Sequence, residues 1–290
     1  MQKSSIELSC RCNLFTSITL GSIFLALPVS SLAQDQYTHA ISVASIADHT
    51  KGDGFVPSFG ANLKYSPVFD GSKEYGIEVQ GGGALQYRSG KNLFFLEGFN
   101  IDGAELGWRS MVNTNWLVQA GVRHETVLPS GDLEAGNIEG IPHRGSAVFG
   151  FVEGNYLFGN NNRSWLTGRL SAGPSDFGYR VKISVGHTFV SSSRRSLDLL
   201  AYTTFGDEEQ FDRYFGISAA ESLSSGYNQT DFDGGYRSSG VALLFRQNLF
   251  RNMQLVAKVG VEAYGDEIEK SALVTETTDV TGGLSLLWCF

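Results

Sequence analysis

The chain has 290 residues, a formal net charge of -8, 35 glycines, 6 prolines and 12% aromatic residues. No P-loop, dinucleotide fingerprint or basic nucleic-acid patch occurs, so nucleotide and nucleic-acid binding are excluded as first readings. Past the N-terminal region, no segment has the ~20 consecutive apolar residues of a membrane helix.

The first element in chain order is a leader. Lys3 and Arg11 precede an apolar run from Leu14 to Val29, and Ser31-Leu32-Ala33 supplies small residues at the cleavage positions. This pattern predicts a secretory signal peptide over 1–33, with Gln34 as the new N-terminus. Its removal takes Cys10 and Cys12 and leaves Cys289 alone, so no internal disulfide and no cysteine metal site is expected. Residues 34–56 are read as a periplasmic N-terminal segment, within which 38–47 is either an extra strand or extended chain.

From 57 onward the sequence alternates with period two. In "QLVAKVGVEAY", Leu255, Ala257, Val259, Val261 and Ala263 share one parity against Gln254, Lys258 and Glu262 on the other. The pattern predicts strands at 57–66, 77–88, 92–101, 104–112, 115–124, 147–158, 164–172, 179–189, 196–205, 238–249, 254–264 and 279–290. Most have the nine to eleven residues that a tilted strand needs to cross a bilayer. The fit is poorest at 92–101, where Glu97 shares a parity with Phe95 and Phe99, and at 104–112.

The links sort by length. Alternate ones read "SGKN", "NTN", "GNNNR", "SSSRR" and "FRNM", whereas 125–145, 206–237 and 265–278 are long and acidic. Short turns on one side and long loops on the other characterise outer-membrane barrels. The expected fold over 57–290 is therefore an all-β transmembrane antiparallel barrel of about twelve strands, with short periplasmic turns and long extracellular loops. Tyr65, Tyr87, Trp108, Trp116, Tyr179, Phe189, Phe205 and Trp288 fall on the apolar parity near strand ends, as girdle residues should. In the last strand, Val280, Gly282, Leu284, Leu286, Trp288 and Phe290 share the lipid parity. Leu284, Leu286, Trp288 and Phe290 are expected both to close the barrel and to signal the barrel-assembly machinery.

The polar parity carries Lys64, Arg109, Arg123, Arg169, Arg180, Lys182, Arg246 and Lys258 beside Glu78, Glu105, Glu153, Asp198 and Glu262. Such charges either line a selective lumen or satisfy one another within it. The second reading is favoured, because no one-sign ring stands out. The acidic loops lack the fixed spacing of a calcium loop, so solvated charge is expected there rather than a metal site. No catalytic residue and no cofactor is expected. His39, His49, His124, His143 and His187 lack a G-x-S-x-G elbow, although His124 and His143 could approach Asp132 or Glu134.

Three segments carry a family resemblance. "SPVFDGSKEYG" contributes Pro67, Phe69, Gly71, Ser72 and Tyr75. "YFGISAAESLSSGY" contributes Tyr214, Phe215, Gly216, Ile217, Ser218, Ser222, Ser225 and Gly226, and "YGDEIEKSALV" contributes Gly265, Asp266 and Ser271. Together they resemble the MipA/OmpV proteins of Gram-negative outer membranes, with Ala272 in place of the family's proline and Trp288-Cys289-Phe290 in place of its terminal Tyr-x-Phe. The resemblance implies a non-enzymatic protein of the outer membrane, in contact with its lipid and lipopolysaccharide. It further implies a scaffold joining a lytic transglycosylase to a murein synthase; the alternative is a porin-like small-solute channel or a surface adhesin. Physically the motifs read as loop architecture. Gly71, Gly216 and Gly226 suit tight turns or positive φ, Tyr214 and Phe215 would pin the fifth external loop into the mouth, and Ile217–Ser225 would form a short helical turn.

Overall fold

The computed structural model describes residues 53–100, 103–126, 140–142, 144–192, 194–250 and 252–289. The expected signal peptide, the 38–47 stretch, His39, His49, Asp132, Glu134, His143 and Phe290 lie outside the described residues.

The chain forms β1 (Gly54–Pro67), β2 (Tyr75–Ser89), β3 (Asn92–Asn100), β4 (Gly103–Met111), β5 (Trp116–Thr126), β6 (Ser146–Phe158), β7 (Ser164–Ala172), β8 (Tyr179–Ser191), β9 (Arg195–Gly206), β10 (Gly235–Phe250), β11 (Met253–Tyr264) and β12 (Thr278–Cys289). All join one closed antiparallel barrel in chain order. The seam runs from Ser58 opposite Cys289 to Tyr65 opposite Gly282. In hydrocarbon an unpaired backbone group costs several kcal/mol, so a spanning sheet must close. Among the described residues no helix is long and apolar enough to cross a membrane.

The alternation read from sequence becomes two chemically distinct faces. On β7, Trp165, Thr167, Arg169 and Ser171 point in and are buried, while Leu166 and Leu170 point out. Ile77 and Val79 on β2 are 71% and 73% exposed, within a continuous outer band of Leu, Val, Ile and Phe. A water-facing surface does not carry such a band; a lipid-facing one does. Outward aromatics mark both rims: Tyr65, Tyr179, Phe205 and Tyr236 at the loop end, and Phe55, Tyr87, Phe94, Trp116, Tyr156, Phe189 and Trp288 at the turn end.

The turns 90–91, 112–115, 159–163, 192–194 and 251–252 are short, and 127–145, 207–234 and 265–277 are long. Links 68–74, 101–102 and 173–178 are short although they lie at the loop end, so loop sorting is less complete than expected. β1 begins at Gly54 and β10 at Gly235, each earlier than its alternation suggested.

Candidate functional site

The lumen is built by a repeated three-layer contact. Phe95 on β3 pairs directly across from Gly107, Phe151 on β6 from Gly121, Trp165 on β7 from Gly186, and Tyr202 on β9 from Gly240. Each inward ring occupies the space above its glycine where a Cβ would stand. A Cβ added at Gly186 would come within 2.1 Å of the Trp165 ring, and one at Gly240 within 2.4 Å of the Tyr202 ring. Cations form the third layer over three of these rings. Arg109 lies 4.3 Å from the centroid of Phe95, Arg169 is 3.9 Å from Phe151, and Lys182 is 4.0 Å from Tyr202. A ring on a glycine recovers the missing packing, and a cation on the ring's free face gains quadrupole attraction. Phe95 thus belongs inside with Glu97, which resolves the awkward parity of β3.

Two of these cations, Arg109 and Arg169, are also held by carboxylates. Arg109 Nη2 donates to Glu97 Oε2 at 3.2 Å, and Arg169 bridges Glu105 at 3.1 Å and Glu153 at 3.6 Å. Asn155 donates to Glu153 at 2.8 Å and accepts from Thr167 at 2.6 Å. Arg180 grips Glu125 through both Nη atoms at 3.2 and 3.0 Å, and Arg123 lies 4.0 Å from the same carboxylate. Nearer the turns, Arg246 donates to Asp198 at 2.8 Å. Glu262 accepts from Tyr202 at 2.9 Å and Ser238 at 2.5 Å. Lys64 and Lys258 flank Gly283 in one row of register. The candidate lumen charges all occupy the inner face, in mixed-sign clusters rather than a ring. Glu97 and Glu125 were missed; Glu125 shares the parity of Arg123 and required only that β5 run two residues further.

Loop 207–234 folds over the loop-end mouth. Asp207 accepts from Gln210 N at 3.1 Å and starts helix α1 (Glu208–Phe215), with Glu208 and Glu209 favourably placed in its first turn. α1 was not expected from sequence. Its apolar side buries Phe211 and Phe215 against Phe232, Tyr264 and Ile268. Tyr214 packs toward Phe149 and Phe177 and donates its hydroxyl to Glu125. Desolvation, reinforced by the Glu125 charge, pushes the Tyr214 phenol well above its ordinary value. A second helix, α2 (Ala219–Ser225), opens on a capping box between Ser218 and Glu221 and ends at Gly226 with φ 78°. The helical turn therefore starts later than expected, because Ile217 instead bridges to Thr230.

Arg144 joins the two helices. Its guanidinium donates to the carbonyls of Asp212, Arg213 and Gly216 at 3.2, 2.9 and 2.5 Å, satisfying the C-terminus of α1. It also pairs with Glu221 at 3.1 Å. Burial alone would raise the Glu221 carboxyl, but the Ser218 hydrogen bonds and the Arg144 charge hold it below its ordinary value.

The three motif segments meet in this cap. Ser271 Oγ donates to Phe215 O at 2.5 Å. Gly71, at φ 82°, donates its N–H to Asp279 at 3.2 Å, and its carbonyl accepts from Thr275 N and Glu276 N. Ser72 Oγ accepts from Glu74 N, and Tyr75 stacks on Tyr65 and accepts from Val280 N at 3.0 Å. Pro67 ends β1, and Phe69 O accepts from Ser72 N within the same turn. A bulge on β10 leaves Arg237 unpaired in register between Tyr236 and Ser238. It points into the mouth, over Tyr214 and Phe215, and pairs with Asp70. Gly265 donates to Arg237 O at 2.8 Å, while Asp266 is exposed. Ser225 Oγ donates to Glu221 O at 2.6 Å.

Two expectations are corrected. Gly216 does not adopt positive φ but lies at -65°; it is required because a Cβ would come within 2.7 Å of Asp212 O. The acids of loop 207–234 are not all solvated charge either. Asp207 and Glu221 cap helices, and Asp212 accepts from Phe232 N at 2.8 Å.

Ser164 Oγ and His187 Nδ1 lie 2.8 Å apart, but on the lipid face, where the ring meets Phe189 edge-on. Among the described residues no group of three or more His, Cys, Asp or Glu could hold a metal ion.

A closed twelve-strand barrel with a lipid-facing apolar band and a charged interior is an outer-membrane β-barrel protein of a Gram-negative bacterium. The family model described as MltA-interacting protein MipA matches residues 59–290, and the chain belongs to that family. Comparison with curated proteins gave no match. Similar solved structures include the NanC porin, at 7% identity and TM-score 0.47, covering 79% of this chain and 98% of that one. Another is the CymD monoaromatic hydrocarbon channel, at 7% identity and TM-score 0.43, covering 89% and 94%. OprB of Pseudomonas putida shows 7% identity and TM-score 0.42, covering 90% and 99%.

Proposed function

We propose that the protein is a non-enzymatic outer-membrane barrel that scaffolds murein-processing enzymes on its periplasmic side. The observation that carries this reading is the stoppered interior. From β5 to β9 the inward residues are almost all buried, with Leu117, Asn155 and Thr167 at 0% exposure, and α1 fills the mouth above them. Such an interior preserves shape rather than passing bulk solute. The family is named for interaction with MltA, so a lytic transglycosylase is the first partner class, with a murein synthase as the second. The periplasmic turns and the segment before β1 supply the contact surface. In the same reading Leu284, Leu286 and Trp288 on the lipid face of β12, with Phe290, present the strand recognised by the barrel-assembly machinery.

The test is affinity capture on the purified full-length barrel. Enrichment of murein enzymes over an unrelated barrel, reduced on deleting 34–52, which leaves β1 whole, is expected; equal recovery on both barrels rejects the scaffold. One observation favours a second reading, a narrow solute passage. The inward residues Ser58, Gly60 and Asn62 of β1 and Gly82, Ala84 and Gln86 of β2 keep partial exposure. Planar-bilayer recording decides it. Steady conductance that grows when 208–233 is deleted supports the passage, and silence from both proteins rejects it.

A further inference from the structure

The two ends of this barrel carry opposite charge. The loop-end segments hold Asp207, Glu208, Glu209, Asp231, Asp233, Asp266, Glu267, Glu269 and Glu276. The turn-end segments 89–92, 112–115, 159–163, 191–195 and 250–253 contain Lys91, Arg163, Arg194, Arg195 and Arg251, and neither Asp nor Glu. Lys91, Arg194 and Arg195 are exposed, Arg163 is half-buried, and Arg251 lies outside the described residues. At the same end Asp53 accepts from Gly90 N at 2.7 Å, in the turn that carries Lys91.

Among the described residues Arg163, Arg194 and Arg195 make no ion pair, and they run along one arc. Arg163 O accepts from Thr188 N at 2.8 Å and Arg194 O from Asn248 N at 2.7 Å, which places Arg163 beside β8 and Arg194 beside the end of β10. Below the arc Asp198 is already taken by Arg246, so it does not neutralise the rim.

The neighbouring turns add amides held in fixed positions. Asn162 Nδ2 donates to Thr114 O at 2.9 Å, and Asn115 Nδ2 donates to Leu157 O at 2.8 Å. Asn113 Oδ1 accepts from Asn115 N and Trp116 N. Asn161 and Asn162 take φ of 57° and 53°, conformations that asparagine tolerates. Asn160 and Asn161 are left exposed beside Arg163.

We propose that this periplasmic rim binds murein directly, the arginines taking stem-peptide carboxylates and the exposed amides taking glycan hydroxyls. Three features select that ligand class. The charge asks for an anion, and the guanidinium fork matches a carboxylate. The amides ask for a ligand rich in hydroxyl and amide groups. The spacing along an arc, rather than around one pocket, asks for an extended polymer. Phospholipid phosphates would lie beside the outward girdle residues; Arg195 shares that outward parity, but Arg163 is on the inward parity and Arg194 is at a turn apex. This inference stands without the enzyme-scaffolding reading, since it needs no protein partner.

The experiment is cosedimentation of the full-length barrel, in detergent micelles, with sacculi stripped of bound protein by protease. Wild type is expected to sediment with sacculi at low salt and to be released as salt screens the contacts. The Arg163→Gln/Arg194→Gln/Arg195→Gln variant should bind about tenfold more weakly. The Glu208→Gln/Glu209→Gln variant, altered at the opposite end, should bind like wild type. Heat-modifiable gel migration verifies that each variant is folded. Equal binding by the arginine variant overturns the proposal, as does binding seen only with unstripped sacculi, which assigns the rim to a protein. Absence of sacculus binding with arginine-dependent flotation on phosphatidylglycerol vesicles also overturns it, and assigns the rim to lipid.

Discussion

The hydroxyl of Ser271 donates to the carbonyl of Phe215 at 2.5 Å, across 56 residues of chain. It joins the loop after β11 to the last residue of α1, inside the apolar cluster of Phe211, Phe232, Tyr264 and Ile268. Ser271→Ala leaves a buried carbonyl short of a partner, at a cost of about 1–3 kcal/mol. The cost falls on the cap and not on the barrel. Limited proteolysis should therefore cut 207–234 faster in the variant, while heat-modifiable migration stays normal. Unchanged cleavage would show that this bond does not hold the cap.

Gly186 is fixed by Trp165. Gly186→Ala drives a methyl group into the indole, an overpacking cost of about 1–3 kcal/mol. Trp165→Leu in the same chain should recover part of that loss, because the two residues share one space. Urea unfolding in micelles measures the coupling, and strictly additive effects would count against it.

Arg169 holds two buried carboxylates, Glu105 and Glu153. Arg169→Met removes their cation and should destabilise the barrel by about 3–5 kcal/mol. Arg169→Met/Glu105→Gln/Glu153→Gln should recover most of it, since no charge is then stranded. The comparison of the two unfolding midpoints is the check.

Tyr214 gives the cap an alkaline limit. Its phenol is raised in the folded protein by burial and by Glu125, so the folded state keeps a proton that the open loop releases. That stabilisation is complete below the ordinary tyrosine value of about 10 and is lost as pH rises above it. Protease sensitivity of 207–234 should rise above about pH 10 in wild type. In Tyr214→Phe this step should be absent, while sensitivity at neutral pH should exceed that of wild type.

Period-two alternation made the barrel legible, because lipid outside and charge inside leave alternate residues no common chemistry. Every expected lumen cation faces inward for that reason. What alternation could not reveal was pairing across strands. That Phe95, Phe151, Trp165 and Tyr202 each face a glycine depends on register, which single-strand patterns do not encode. The inward Phe95 looked like an error of parity until Gly107 lay beneath it. The cap was half legible. Glycine and serine motifs marked the loops, but α1 is short and acidic, and its buried face depends on Tyr264 at the end of β11 and Ile268 in the loop beyond it.

Gly71 and Asp279 are 208 residues apart, yet one hydrogen bond joins them, and Tyr75 takes another from Val280 N. These bonds knit the first hairpin to the last strand above the seam. The lid is thus assembled from both ends of the chain and exists only once the cylinder has closed. Loss of protease access at 207–234 would then time the completion of insertion, and a half-inserted chain would betray itself by an open lid.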